Sequence, residues 1–282
     1  MRTARRASTS ITAIFKPYIS FEPAYALFLL SHKLSELVRT NLYLQKKCRR
    51  QMNFEPDLET PCDDERGGID FVASVNSKSL FVANLTATAL VVVLAAKCDK
   101  SKGSRKFSIL LPVVLRTIQL VSMCLQSYFW KWSVWFAALN EGSCNFGIVF
   151  GVGSMVYVCS ISTNEERIFR MTLLHVLDIS ATIISSGSSG FLLRKFGFLN
   201  TYILCTIFSS VSMIHLALFL KDTVTESQQE KRGWAKSLIE FFNPRSLIEA
   251  FELFFKKRKR NDRIVICILS LISILAWSTY LG

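Results

Sequence analysis

The sequence predicts an all-α membrane protein: a bundle of six crossing helices at 22–220, a basic linker at 221–262 and one further crossing at 263–282. Three observations carry this reading. Half of the 282 residues are hydrophobic and the mean hydropathy is positive. The apolar residues gather in runs of about 20, the length of one bilayer crossing as a helix. The 34 Lys and Arg residues, which set a net charge of +13, lie between these runs, as membrane topology demands. A soluble nucleic-acid-binding protein would cluster them on one face. The expected partner is therefore the bilayer, and nucleic acid is not expected.

Residues 1–21 are basic and rich in Ser and Thr, without the apolar core of a signal peptide. They read as a cytoplasmic tail, and their Arg-rich, acid-free composition also fits a mitochondrial transit segment. The first crossing, Glu22 to Leu44, is the weakest. Its roughly nine good apolar residues gain about 4–5 kcal/mol on the insertion scale, whereas Lys33, Glu36 and Arg39 cost about 8–10. It is expected to insert only if Lys33 and Glu36, three apart on one face, pair toward a wet cavity. The alternative is a surface amphipathic helix. Residues 45–77 follow as a polar loop with Glu55, Asp57, Glu59, Asp63, Asp64 and Glu65. On an extracellular side, Cys48 and Cys62 in this region are free to form a disulfide. The remaining cysteines lie in or beside apolar spans, without zinc spacing, and read as packing residues.

Phe81 to Ala96 forms the core of the second crossing. The sequon Asn84-Leu85-Thr86 falls inside it and is expected to be silent. The third, Phe107 to Phe129, contains Arg116. About ten strong apolar residues outweigh that charge by about 2 kcal/mol. Arg116, Gln119, Met123 and Gln126 share one helix face, which is expected to turn toward the bundle. Lys131 between Trp130 and Trp132 marks a membrane interface. The fourth crossing, Trp132 to Ile161, carries a small-residue ridge of Ser143, Gly147 and Gly151.

The fifth crossing begins at a charged knot, Glu165-Glu166-Arg167 with Arg170, and runs from Met171 to Leu193. His175, Asp178, Thr182, Ser185 and Ser189 recur at steps of three and four and share a face. Ala181, Ser185 and Ser189 are small and four apart, which lets another helix approach closely. An ionisable pair on a crossing helix is a solute- or proton-pathway expectation. Leu199 to Leu220 is the sixth crossing. The linker that follows ends in Lys256-Lys257-Arg258-Lys259-Arg260, an orientation signal or anionic-lipid contact. Within the linker, Ile239 to Phe255 has the pattern of an amphipathic surface helix. The tail, the basic turn at Lys97–Lys106, the knot and the linker fall on one side by charge, expected to be cytoplasmic.

Several of these stretches resemble the proton-coupled folate transporter family (solute carrier family 46), part of the major facilitator superfamily. Glu166-Arg167-Ile168-Phe169-Arg170-Met171-Thr172-Leu173-Leu174, a small-residue helix and then Leu192-Leu193-Arg194-Lys195-Phe196-Gly197-Phe198 resemble that family's fifth helix. Glu22-Pro23 and Tyr43-Leu44 resemble the bounds of its first. Asp99, Lys100, Gly103, Arg105 and Lys106 resemble the superfamily's loop motif between helices two and three, with one extra residue and Ala95 at the usual first Gly. Asn145-Phe146-Gly147 resembles a fourth-helix motif. Three positions depart from the family: Ser160 replaces an Asp, Ala137 an Arg, and His175 the proton-linked Glu.

The resemblance implies a major-facilitator-type N-terminal half, with the linker and a seventh helix, in a multi-pass protein of the plasma or endolysosomal membrane. It implies secondary-active, proton-coupled transport of a small organic solute, folate-like and anionic, with no cofactor or metal. The implied pathway residues are His175, Asp178, Arg116, Asn145 and Ser160. The implied cytoplasmic gate joins Asp99, Lys100, Gly103 and Arg105 to Glu165, Arg167 and Arg170. Seven crossings make about half of a twelve-helix carrier, so a missing C-terminal half or a partner chain is expected to complete the cavity. A non-transporting or regulatory membrane protein is the alternative, because three polar positions are altered. A membrane enzyme lacks support: the sequence holds no HExxH, nucleophile elbow or paired-acid motif.

The charge bias gives a direct topology prediction. An impermeant thiol reagent applied to intact cells should reach Cys62 (after reduction) and miss a cysteine placed in the 221–262 linker. Strong labelling of the linker from outside would reverse the topology.

Overall fold

The structure, a computed structural model, describes residues 21–49, 65–100 and 105–220. The N-terminal tail, Cys62, Gly103, the 221–262 linker and the 263–282 crossing lie outside the described residues. Every described element is a helix: α1 (Glu22–Cys48), α2 (Glu65–Lys100), α3 (Arg105–Tyr128), α4 (Val134–Gly142), α5 (Phe146–Ile161) and α6 (Asn164–Phe219). Among the described residues, three stretches are long and apolar enough to cross a membrane: Ser108–Tyr128, Val134–Ile161 and Asn164–Phe219.

Local chemistry sets the helix ends. Pro23 stands in the first turn of α1, where its missing N–H costs nothing, and Lys46 and Lys47 sit in the last turn, where cations suit the helix dipole. Ser133, Asn145 and Thr163 cap α4, α5 and α6 by accepting hydrogen bonds from the N–H groups of Trp135, Ile148 and Glu166. α6 covers the expected fifth and sixth crossings. It bends at Gly197, where φ is 74°, a left-handed conformation that glycine adopts without a Cβ clash. The chain therefore turns between two arms with no loop.

The expected fourth crossing differs from the sequence reading. It is broken at Ser143–Asn145 into α4 and α5. The backbone groups freed there find partners: Asn145 N–H donates to the Ala83 carbonyl of α2, and Ser143 N–H to Asn140. Buried groups at membrane depth require such compensation.

α1, the span least able to insert alone, is the centre of the bundle. Its N-terminal half contributes Ala24, Tyr25, Phe28 and Leu29 to a core with Ile109, Val113, Phe150, Leu174, Ala181 and Leu216. Its C-terminal half contributes Leu34, Val38, Leu42 and Tyr43 to a second core with Leu120, Met123, Trp130, Phe198 and Tyr202. Serines stitch it to α6. Ser212 donates to the Ala24 carbonyl (2.8 Å), Ser185 to Leu30 (3.4 Å), and Ser31 of α1 to the Cys205 carbonyl (2.7 Å). The small residues Ala181 and Ser185 are the buried stripe of the first arm, and this is where α1 approaches.

Opposite ends of the bundle have different character. Glu22, Lys106, Ser162, Arg170 and Ala217 lie at one end, tied by Arg170–Glu22 and by Lys106 donating to the Ala217 carbonyl. The other end gathers aromatic residues. Lys46 reaches the Trp132 carbonyl and lies over Trp130, whose indole donates to Arg49. Burial lowers the Lys46 ammonium to about 8.

Helix spacing hinges on one glycine. A Cβ at Gly147 of α5 would meet His32 Nε2 of α1 at 2.1 Å, whereas one at Gly151 would meet nothing within 4 Å. Gly147→Ala is expected to cost about 1–3 kcal/mol by overpacking, and Gly151→Ala almost nothing. Thermal unfolding of the two variants in detergent checks this, and equal midpoints would show that α1 and α5 are not held so closely.

Candidate functional site

The bundle buries a charge network where α1, α3 and α4 meet. Glu141, at the end of α4, receives Arg39 of α1 (Nη1 to Oε1 2.5 Å) and Arg116 of α3 (Nη1 to the two oxygens, 3.1 and 3.2 Å). Arg116 also donates to Ser35 Oγ at 2.6 Å and to the Gln119 side-chain oxygen. Gln119 and Asn140 then clasp each other through reciprocal amide-to-carbonyl bonds of 2.7 and 3.1 Å. Arg116 and Gln119 are 2% and 3% exposed and Glu141 is 8%. Two guanidiniums sharing one carboxylate at such depth survive only because each charge has a close partner.

Beside this network, His32 of α1 lies 3.5 Å from Glu36, one turn along the same helix. Its ring stacks on Phe28, and its Nδ1 has no hydrogen-bond partner among the described residues. Arg39 Nε, Arg116 Nε and the hydroxyls of Tyr43 and Tyr202 are likewise buried without a partner there.

The sequence-derived residues are distributed as follows. Arg116 stands at the heart of the network, and Gln119, Met123 and Gln126 are buried with it, so the α3 face turns inward. Asn145 caps α5 and donates to the Asn84 side chain of α2 at 3.1 Å. Ser160 hydrogen-bonds the Tyr157 carbonyl within its own helix. Asp178 meets Lys33 of α1 at 3.7 Å, both partly exposed. His175 is exposed and faces away from the bundle core. The expected pairings of Lys33 with Glu36 and of His175 with Asp178 are thus replaced by cross-helix and one-turn partners: Lys33 with Asp178, and Glu36 with His32. The reason is geometric. α1 and the first arm of α6 are close enough for Lys33 to reach across.

At the end that carries Glu22, Arg170 is buried and binds the Glu22 carboxylate at 2.7 and 3.1 Å, with Ser162 at 3.4 Å. Glu165, Glu166 and Arg167 are exposed at the start of α6. Asp99 and Lys100 close α2 and Arg105 opens α3. Cys48 is disulfide-bonded, to a partner outside the described residues.

Sequence reasoning missed Glu141, and it treated Arg39 only as a cost to insertion. A signal was present. Glu141 is the lone acid between Trp132 and Ile161, while Arg39 and Arg116 each needed an anion at membrane depth.

Two comparisons bear on this arrangement. No protein-family model matches the chain. The chain is similar to the lysosomal proton-coupled steroid conjugate and bile acid symporter SLC46A3 of Gallus gallus, 25% identical over 266 residues, which is 88% of this chain and 56% of that protein. It is also similar to the protein of the same name from Bos taurus, 24% identical over 172 residues, 59% of this chain and 36% of that one. The chain spans about half the length, or less, of the curated relatives it matches.

Removing the shared carboxylate tests the network. Glu141→Gln leaves two buried guanidiniums without a counter-charge and should lower stability by about 3–5 kcal/mol. Asp178→Asn, at a partly exposed pair, should cost no more than about 1 kcal/mol. Comparable losses in detergent unfolding would mean that the Glu141 site is hydrated and not a buried ion cluster.

Proposed function

We propose that this chain, a distant homologue of solute carrier family 46, is the N-terminal six-helix part of a secondary-active membrane transporter of the major-facilitator type. The observation that carries the reading is the Arg39–Glu141–Arg116 network, buried where α1, α3 and α4 meet. Structural stability alone does not call for such a cluster, since apolar packing would serve as well or better. Ions inside a membrane bundle mark solute or ion pathways. The broken α4–α5 crossing supports the same reading, because interrupted helices with satisfied backbone groups line transport sites.

The proposed solute is a small organic anion, moved with protons. The two relatives are named for steroid conjugates and bile acids, bulky amphipathic molecules that carry one negative charge or more. The Arg39–Glu141–Arg116 cluster sets two guanidiniums against one carboxylate, and this excess of positive charge suits an anionic partner. The solute cavity would be completed by a second half, whether continuous with this chain or supplied by a partner. Lys33–Asp178 lies partly exposed at the α1–α6 seam, on the surface that such a half would meet. The charged junction of Glu165, Glu166 and Arg167 with Asp99, Lys100, Gly103 and Arg105 is the proposed gate on the cytoplasmic side. Arg170–Glu22 holds α1 and α6 together beneath it. A disulfide between Cys48 and Cys62, at the opposite end, accords with a lumenal or extracellular face there. An endolysosomal or plasma membrane location is proposed on these grounds. The altered positions Ser160, Ala137 and His175 favour one second reading, a relative that has lost transport and acts by association.

Uptake of a labelled bile acid by cells expressing the complete coding sequence separates the two readings. The transporter reading expects uptake that rises several-fold as the donor side is acidified, and a marked loss in Asp178→Asn despite normal folding. Absence of uptake for bile acids, steroid conjugates and folates alike would favour the second reading.

A further inference from the structure

We infer that the last turns of the first α6 arm bind one anionic phospholipid, its phosphate held by Arg194 and Lys195 and its acyl chain laid along Phe191. A surface cavity of about 510 Å³ opens there, lined among the described residues by Gly190, Phe191, Arg194 and Lys195. Gly190 and Arg194 are one helical turn apart, as are Phe191 and Lys195, so the four share a face. Phe191 is 63% exposed, and both cations are exposed as well. Gly190 leaves the floor of the cavity open, and no described neighbour uses that space: a Cβ there would meet nothing within 4 Å. Gly147 differs, since His32 of α1 lies directly against it.

Depth and charge select the occupant. Arg194 follows the apolar run from Met171 to Leu193, so it stands where a crossing helix meets the lipid headgroups. The rings of Trp130 and Phe198 are 6.1 Å apart, which puts the Gly197 bend at the aromatic end of the bundle. Among the described residues, neither Arg194 nor Lys195 pairs with a carboxylate. The sequence offers none nearby. No acid lies between Asp178 and Asp222, and Asp178 is about 24 Å back along the helix. Lys46, at the same end, is engaged differently: it is buried and donates to the Trp132 carbonyl. The Lys195 ammonium lies 5.6 Å from the rings of both Phe191 and Phe196, which holds it over apolar surface beside the cavity. Two adjacent cations above an exposed aromatic ring match a lipid phosphate above its acyl chain. The guanidinium suits a pair of phosphate oxygens, and the ammonium acts on the same group as a point charge. A soluble anion would meet the cations but leave Phe191 and the space over Gly190 uncovered.

The site is tested without transport. The full chain is purified in mild detergent and incubated with equal amounts of phosphatidylglycerol and phosphatidylcholine, and the retained lipids are counted by native mass spectrometry. The native protein should retain one phosphatidylglycerol in preference to phosphatidylcholine by about tenfold or more, the scale that two cations near a membrane surface set. The double variant Arg194→Gln with Lys195→Gln should lose that preference. Gly190→Leu keeps both charges and fills the cavity, so it should lower phosphatidylglycerol retention by about tenfold as well. Its thermal midpoint should stay the same or rise, because the side chain enters open space and leucine favours a helix. Excess inorganic phosphate should leave the lipid bound. Equal retention of the two lipids by the native protein overturns the inference. So does a preference that survives Gly190→Leu, which leaves only the diffuse attraction of a basic surface. Displacement by phosphate alone overturns it in favour of a free-anion site, and a lowered Gly190→Leu midpoint overturns it in favour of a protein segment packed into the cavity.

Discussion

One carboxylate between two guanidiniums governs this bundle. Glu141 joins α4 to α1 through Arg39 and to α3 through Arg116, and Arg116 extends the link to Ser35 and Gln119. Helix α1 carries more charge than a lone crossing segment tolerates, by about 3–6 kcal/mol on the insertion scale. It nevertheless occupies the centre of the structure, because Glu22, Lys33 and Arg39 are met by partners on other helices and Glu36 by His32 one turn away. Its cores and serine bonds to α6 then add the packing that a membrane interior needs in place of a hydrophobic drive between helices.

Much of the fold was legible in the sequence, for identifiable reasons. The third crossing and the two arms of α6 are apolar on average over the needed length, and apolarity is read directly. Gly197 sits at the family's helix boundary and takes the one left-handed backbone conformation among the described glycines. The inward face of Arg116, Gln119, Met123 and Gln126 follows from helical periodicity, as does the Ala181–Ser185 stripe. The break in the fourth crossing was not legible. Its residues are as apolar and small as their neighbours, and the interruption is decided by distant partners: Asn140 with Gln119, and Asn145 with Asn84. The site shows the same division. Arg116 announced itself as a cation in an apolar run. Its partner could be found only by asking which acid, at any separation in sequence, was left to neutralise it. Local pairing rules misled for Lys33 and Asp178, because a neighbouring helix lies nearer than the residue one turn away.

The two ion clusters divide the labour along α1. Arg170 and Glu22 fasten its first turn to the start of α6. Glu141 and its arginines hold its second half against α3 and α4. Between them, Gly147 lets α5 approach the His32 ring. The two fragments of the broken crossing each carry their own N-cap, Ser133 and Asn145.

A double-mutant cycle on Arg39 and Glu141, read as unfolding free energy in a fixed detergent or nanodisc, tests the central claim most directly. Arg39→Met and Glu141→Gln are measured singly and together. If the shared carboxylate holds α1 in the bundle, the two changes are coupled by about 2 kcal/mol or more, as contacting buried charges are. Additivity within about 0.5 kcal/mol would contradict the account and leave α1 held by packing alone.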